Sequence, residues 1–231
     1  MDRWIAGNTR RLVSYFLYRF WALPRISRDD RAQVLGLDLS VPKGVFHPSL
    51  FFSSTILGRH VATMALGDMR VLDMGTGSGV LALCAARQGA SVLALDINPE
   101  AVRCAEANAR MNGLESRVRV LHSDLFARVP QGERFDLILW NPPFYPTEPD
   151  DDVQRAWRAG SGFAAIRRFA ESVGNFLVPG GAMLIILSSD VNNGEFLRHF
   201  SPFQITTCSS HRRFFETLTI YELRPAPSIN P

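Results

Sequence analysis

A chain of 231 residues, 46% apolar and 20% charged, can bury one full core and suits a soluble enzyme of one or two domains. Its three cysteines, Cys84, Cys104 and Cys208, show no C-x-x-C spacing, which argues against a disulfide framework or a zinc site and fits a reducing cytoplasm; no metal is expected. The net charge is only +3 and Lys43 is the single lysine, so the basic residues are arginines, suited to phosphate or carboxylate recognition or simply reflecting genome base composition.

Residues 8–22 mix Leu12, Tyr15, Phe16, Tyr18, Phe20 and Trp21 with arginines and predict an N-terminal helix packed on the domain, or docked on a partner or membrane surface. No signal peptide is readable. The most apolar run there, 12–23, is interrupted by Arg19 and too short to span a bilayer, so no transmembrane segment is expected. Arg3, Arg10, Arg11, Arg19, Arg25, Arg28 and Arg31 form a basic cluster that reads as a solvated helical face or as a nucleic-acid contact. Residues 32–35 and 37–41, with Gly36 between, predict a small strand pair or bulged ribbon before a turn at Pro42-Lys-Gly44. A helix over 53–65 leads into the core. Residues 1–52 are thus expected to form a short helical and hairpin extension, a candidate for substrate recognition, and 53–231 the main domain.

From Arg70 a short apolar strand feeds glycines at 75, 77 and 79, and a helix continues over 80–87. Those glycines permit positive φ and close backbone approach to a ligand. The dinucleotide fingerprint needs a small residue at position 80, where Val80 stands. Asp73 precedes the first glycine and places a carboxylate beside the ligand, which suits an ammonium group better than a pyrophosphate. A second strand, 91–96, closes on Asp96, positioned to accept both hydroxyls of a ribose. Asn98 caps a helix with Pro99 and Glu100 in its first turn, running to Met111 before Asn112-Gly113. The third strand, 117–121, meets Ser123-Asp124 at the same edge, where Asp124 reads as an acceptor for an adenine amine or as a solvated loop acid.

Residues 137–140 read as a strand buried on both faces that stops at Asn141, because two prolines can neither donate hydrogen bonds nor continue a central strand. The stiff turn presents an amide oxygen, free carbonyls and an aromatic face, a set suited to a flat group bearing NH2. Residues 144–162, with Glu148-Pro-Asp-Asp-Asp152, form a long loop of the kind used as a lid or binding segment. A helix over 163–177, a turn over 178–182, a strand over 183–187 and a helix over 192–200 follow. Strands at 204–208 and 217–223 close the chain, with His211-Arg-Arg213 between them. This alternation predicts an α/β fold, a parallel sheet with an antiparallel edge strand.

Asp73-x-Gly75-x-Gly77-x-Gly79, Asp96, Asp124 and Asn141-Pro-Pro-Phe144 resemble S-adenosylmethionine-dependent methyltransferases with a Rossmann-like sheet, most narrowly the HemK-type, release-factor glutamine group. Arg155-Ala-Trp-Arg-Ala-Gly-Ser-Gly162 is similar to the Ala-Trp/Leu-Ala-Gly-Gly segment of that group, and the resemblance covers residues 45–223. Two departures fall on the substrate side: His47-Pro-Ser-Leu-Phe-Phe-Ser-Ser-Thr55 replaces the usual Pro-Arg-x-Asp-Thr, and the N-terminal part is shorter than the usual helical substrate domain. The resemblance implies seven strands in the order 3-2-1-4-5-7-6 and S-adenosyl-L-methionine as cofactor. It implies cofactor contacts at Asp73, Gly75, Thr76, Gly77, Gly79, Asp96, Ile97, Asp124, Leu125 and Asn141, and acceptor contacts at Asn141, Pro143, Phe144 and Tyr145.

The chemistry follows. Methyl loss from a sulfonium needs no acid, whereas an amide or aniline-like nitrogen is a poor nucleophile because its lone pair is delocalised. Asn141 Oδ1 and the Pro142 carbonyl are placed to accept the two N–H bonds and favour a pyramidal nitrogen, while Phe144 with Tyr145 stacks on the acceptor. Asn141, Pro142 and Phe144 are therefore the catalytic candidates; His122 and His211 read as structural. A protein glutamine is the favoured acceptor from the resemblance, with an rRNA or tRNA base amine or a small-molecule amine as alternatives. An NAD-dependent oxidoreductase would leave Asn141-Pro-Pro-Phe144 unexplained, and a non-catalytic relic would tend to lose one of Asp73, Asp96 or Asn141.

Overall fold

The computed structural model describes residues 28–49, 52–143, 163–213 and 216–226; the expected helix over 8–22, the segment 144–162 and with it Phe144 and Tyr145 lie outside these. Strands β1 (Asp30–Val34) and β2 (Leu37–Val41) pair antiparallel around Leu35-Gly36, whose φ values of 55° and 74° are both left-handed. That backbone matches the twist of the strands it joins, and Gly36 adopts it without strain. The register runs unbroken from Asp30↔Val41 to Val34↔Leu37, a plain strand pair rather than a bulged ribbon.

The chain continues through α1 (Phe52–Val61), β3 (Arg70–Met74), α2 (Val80–Arg87), β4 (Ser91–Asp96), α3 (Pro99–Met111) and β5 (Val118–His122). It then runs through β6 (Phe135–Trp140), α4 (Ala164–Val173), β7 (Leu177–Ser188), α5 (Asn193–Arg198), β8 (Phe203–Arg213) and β9 (Glu216–Pro225). The seven strands after the hairpin lie in the order β5-β4-β3-β6-β7-β9-β8, which is 3-2-1-4-5-7-6 when they are counted alone. Strand β9 is antiparallel to both its neighbours, and β3 to β7 are parallel.

Why the central strands read as continuous apolar runs is visible in their packing. Leu137, Leu139, Leu184 and Ile186 face a core shared with α1, α2, α3 and the hairpin residues Leu37, Leu39 and Val41. Their alternates Ile138, Trp140, Ile185 and Leu187 face a second core under α4 and α5. Helices on both faces leave no polar side, so period-two alternation vanishes. On α4, Ile166, Phe169 and Val173 follow the helical spacing and are fully buried. The Phe169 ring lies 3.8 Å, centroid to centroid, from Trp140. The hairpin is tied down by α3: Asn108 Oδ1 accepts from Ser40 N at 2.9 Å, and its Nδ2 donates to Ser40 O at 3.1 Å and Ser78 O at 2.9 Å.

Three expectations about elements are corrected. Helix α4 ends at Val173 and passes through a 3-10 turn, Gly174–Phe176, so Leu177 already belongs to a strand. Residues 178–182 are not a turn before β7 but a bulge inside it: Phe135 pairs with Leu177 and Leu137 with Ala182. The bulge absorbs Pro179, which has no N–H for a ladder, and Gly180 at φ 79°. His211-Arg-Arg213 does not separate two strands; β8 runs through it to an Arg213↔Glu216 pair, with a register shift between Thr207 and Ser209. Smaller differences occur at α1, which stops at Val61, and at β5, which lies one residue later than expected.

Candidate active site

The carboxyl ends of β3, β4, β5 and β6 surround a cavity of about 430 Å³. Its floor is the turn after β3. Thr76 N donates to Leu95 O at 2.9 Å and Gly77 N donates to Asp96 Oδ2 at 2.8 Å, so the neighbouring strand fixes the turn. Gly79, at φ 84°, begins α2 where an added Cβ would stand 3.2 Å from both Cα and Cβ of Ala105. Only glycine serves there, and its role is helix packing rather than the cavity wall.

The wall brings together Gly75, Thr76 and Gly77, Asp96 at the end of β4 with Ile97 beyond it, and Asp124 and Leu125 after β5. Asp96 Oδ1 accepts from Asn98 N at 2.9 Å, and burial pushes its pKa up against the opposing backbone hydrogen bonds. Leu125 holds a left-handed φ of 49°, secured by Ser123, whose Oγ donates to Leu125 O at 2.8 Å and accepts from Arg128 N at 3.0 Å. Asp124 is not a bare loop acid: Arg168 of α4 donates to its Oδ2 at 2.8 Å across the cavity rim.

Asn141 and Pro143 complete the wall, while Pro142 is buried beside it. The Asn141 side chain donates through Nδ2 to Ser53 Oγ at 3.0 Å and Ser54 Oγ at 2.8 Å. Its Oδ1 is buried and has no hydrogen-bond partner among the described residues. His122 Nε2 lies 2.8 Å from Ile97 O and His211 Nε2 3.0 Å from Ser209 Oγ, both structural contacts.

Asp73 is placed differently from the expectation. It lies beneath the glycine turn with no exposure, and its Oδ2 accepts from Thr76 Oγ1 at 2.6 Å and Ala82 N at 3.1 Å; Oδ1 is buried without a partner among the described residues. Strand alternation explains this, because Leu72 and Met74 occupy the opposite face. Burial pushes its pKa up from 3.8 to about 7. Between those values the folded chain holds a proton that the unfolded chain has released. Stability therefore falls as pH rises from about 4 to about 7, by up to about 1.4 kcal/mol per pH unit, and levels off above. Asp73→Asn puts an N–H where the acid carries O–H and is expected to flatten that decline. Urea unfolding at about pH 5 and about pH 7 checks it; the same decline in both proteins would show that Asp73 stays ionised.

Several wall residues had no readable signal. Val45 and Phe46 enter from the loop after the hairpin, whose placement depends on Asn108 and on Asn98 Nδ2 donating to Gly44 O at 3.3 Å. Arg168 comes from a helix remote in sequence, and only its three-dimensional neighbours mark it; Ser54, from α1, lies in the segment that departs from the family motif.

The family description "Methyltransferase small domain" matches residues 37–214. The chain belongs to that family. It is a methyltransferase, and its relatives bear this out: it is similar to a putative protein N5-glutamine methyltransferase of Methanocaldococcus jannaschii, 30% identical over 196 residues that cover 81% of this chain and 95% of the relative. It is also similar to the release factor glutamine methyltransferase of Koribacter versatilis, 34% identical over 149 residues, 58% of this chain and 52% of the relative. This methyltransferase thus spans about half the length of that relative. Among solved structures, the Thermus thermophilus 16S rRNA N2 G1207 methyltransferase in complex with AdoMet and guanosine shares the fold, with a TM-score of 0.60 and 24% identity over 85% of this chain and 50% of that one.

Proposed function

We propose that this methyltransferase transfers a methyl group from S-adenosylmethionine to the side-chain amide nitrogen of a protein glutamine. The observation that carries the reading is the Asn141 amide, whose nitrogen is engaged by two serines while its oxygen is buried and unpaired at the cavity wall. An unpaired buried acceptor costs about 1–3 kcal/mol, which an incoming N–H recovers. The cavity suits the donor. Its volume of about 430 Å³ lies among ligand pockets of about 300–1,000 Å³. Asp96 accepts backbone N–H groups from Gly77 and Asn98, one on each oxygen, and a further one from Ile97, which leaves acceptor capacity for a ribose hydroxyl, and Ile97 and Leu125 offer apolar surface to an adenine. Gly75 leaves open space where a Cβ would stand.

When bound there, S-adenosylmethionine supplies a methyl on a sulfonium sulfur, whose departure leaves a neutral thioether. The chain's residues prepare the nucleophile. Asn141 Oδ1 and the Pro142 carbonyl accept the two N–H bonds and turn the nitrogen lone pair towards the methyl. The nitrogen–carbon bond forms as the carbon–sulfur bond breaks, and one N–H proton passes to water. The stacking on the planar acceptor expected of Phe144 and Tyr145 falls on residues outside those described. The names of the two relatives support glutamine. The free thiols of Cys84, Cys104 and Cys208 support a cytoplasmic setting.

A base amine in RNA is the second reading. It is favoured by Arg213, whose guanidinium lies 5.8 Å from the centre of the Phe52 ring, at the head of the helix that carries Ser53 and Ser54. Tritiated S-adenosylmethionine incubated with the protein and a cell lysate separates the readings. Label removed by protease and kept after nuclease is the expected result. Label that survives protease and is lost to nuclease would sink the glutamine reading, and label in neither polymer would point to a small amine.

A further inference from the structure

We propose that Ser53 and Ser54 are positioning residues for methyl transfer, acting together as a clamp that holds the Asn141 amide in the orientation with its oxygen available to the acceptor. The inference rests on Asn141 being the group that accepts the substrate N–H.

A terminal amide has two orientations related by a half turn, nearly equal in shape and opposite in hydrogen-bonding character. With the oxygen available, an incoming NH2 meets an acceptor. With the nitrogen there, donor meets donor and the acceptor nitrogen is pushed away. The backbone at Asn141 does not choose between them, since the side chain turns beyond it. The choice falls to whatever surrounds the amide, and two hydroxyls do so. Ser53 Oγ accepts from Nδ2 at 3.0 Å and Ser54 Oγ accepts at 2.8 Å. Both serines are only 5% exposed, so water does not compete for the amide on that side.

Counting donors and acceptors shows why the clamp is directional. In the observed orientation both amide protons are satisfied and one oxygen remains. In the reversed orientation the serines can still donate to the oxygen, but two buried N–H groups are left without partners instead of one carbonyl. Leaving two donors unmet costs more than leaving one acceptor unmet. One serine alone would satisfy one proton and leave the amide less committed. The adjacent Thr55 does not share the task, because its Oγ1 donates to Pro48 O at 3.0 Å. The serines thus reach Asn141 from a helix 87 and 88 positions earlier in the chain, and join β6 to the segment that distinguishes this sequence.

The test is a mutant cycle read by tritium transfer from S-adenosylmethionine into the lysate fraction that the protein labels. The Ser53→Ala/Ser54→Ala double variant is expected to lose about 10- to 100-fold in turnover, with cofactor affinity by calorimetry within about threefold. Ser54→Thr, which retains the hydroxyl, is expected to keep more turnover than Ser54→Ala. In the Asn141→Ala background the serine changes are expected to cost nothing further, because the amide on which they act is gone. Thermal unfolding accompanies every variant, and if the double variant fails to fold, Ser54→Ala alone runs the same cycle. A serine loss that is undiminished in the Asn141→Ala background, or unchanged turnover when the hydroxyls are removed from the otherwise intact protein, overturns the clamp alone. Unchanged turnover in Asn141→Ala itself overturns the reading of Asn141 and the clamp with it.

Discussion

Asn141→Ala is expected to lower the turnover of methyl transfer by about 10²- to 10³-fold while S-adenosylmethionine affinity stays within about threefold, the scale for losing one group that engages the transition state. The split follows from where the side chain sits. Its oxygen contributes to no hydrogen bond among the described residues, so its removal takes nothing from the glycine turn or from Asp96. Its nitrogen is held by Ser53 and Ser54 of α1, not by the glycine turn. What the substitution removes is an acceptor for an N–H whose acidity rises as the nitrogen begins to bond carbon, so the interaction strengthens along the reaction. Single-turnover rates at saturating cofactor, set beside calorimetric binding, measure the two effects separately. Parallel losses in binding and turnover would make Asn141 a structural residue.

Asp96→Ala is expected to weaken S-adenosylmethionine binding by about 1.5–3 kcal/mol, as for a lost charge-assisted hydrogen bond. The carboxylate holds the Gly77 and Asn98 amides at 2.8 and 2.9 Å, so alanine also loosens the turn. Adenosine separates the two contributions, since it carries the ribose hydroxyls without the amino-acid part. A similar loss for adenosine and for the full cofactor places the missing contact on the nucleoside. Unaltered affinity for both would remove Asp96 from the ribose site.

The glycine turn and strand ends at the β3–β4 side of the cavity were legible because they are written locally. A strand, a glycine turn and an acid at the next strand end occur within 27 residues, from Arg70 to Asp96, and backbone geometry there leaves few alternatives. Asn98 as a helix cap was equally local: its Oδ1 accepts from Glu100 N, two residues on. What could not be read depends on partners far along the chain. Asp73 carries the expected charge type in the expected place, yet strand alternation turns it beneath the turn, where Thr76 and Ala82 take one of its oxygens. Asp124 reads in sequence either as a solvated acid or as a ligand contact, and only the packing of α4 brings Arg168 to it. Pro179 and Gly180 carry the composition of a turn, and the sheet spends them on a bulge because β6 supplies a partner on either side. Ser53 and Ser54 stood out only as a departure from a familiar motif. Their contact with Asn141 emerges when α1 is packed against the sheet.

The reversal of strand order between β3 and β6 divides the sheet into two stretches of sequence. The strands that frame the donor end, β3 to β5, fall between Arg70 and His122, while β6 to β9 fall between Phe135 and Pro225. Changes confined to the later stretch can alter the shape and charge of the acceptor side without touching the glycine turn or Asp96. Inheritance can therefore diversify the two separately: one gene segment preserves a common methyl source while the other explores new recipients. The contacts that cross this boundary are the pairing of β3 with β6 from Val71↔Leu137 to Met74↔Trp140, the Arg168–Asp124 ion pair, the packing of Phe126 against Phe169 and the contact of α1 with Asn141. A lineage that changes what it modifies does so while those contacts are held.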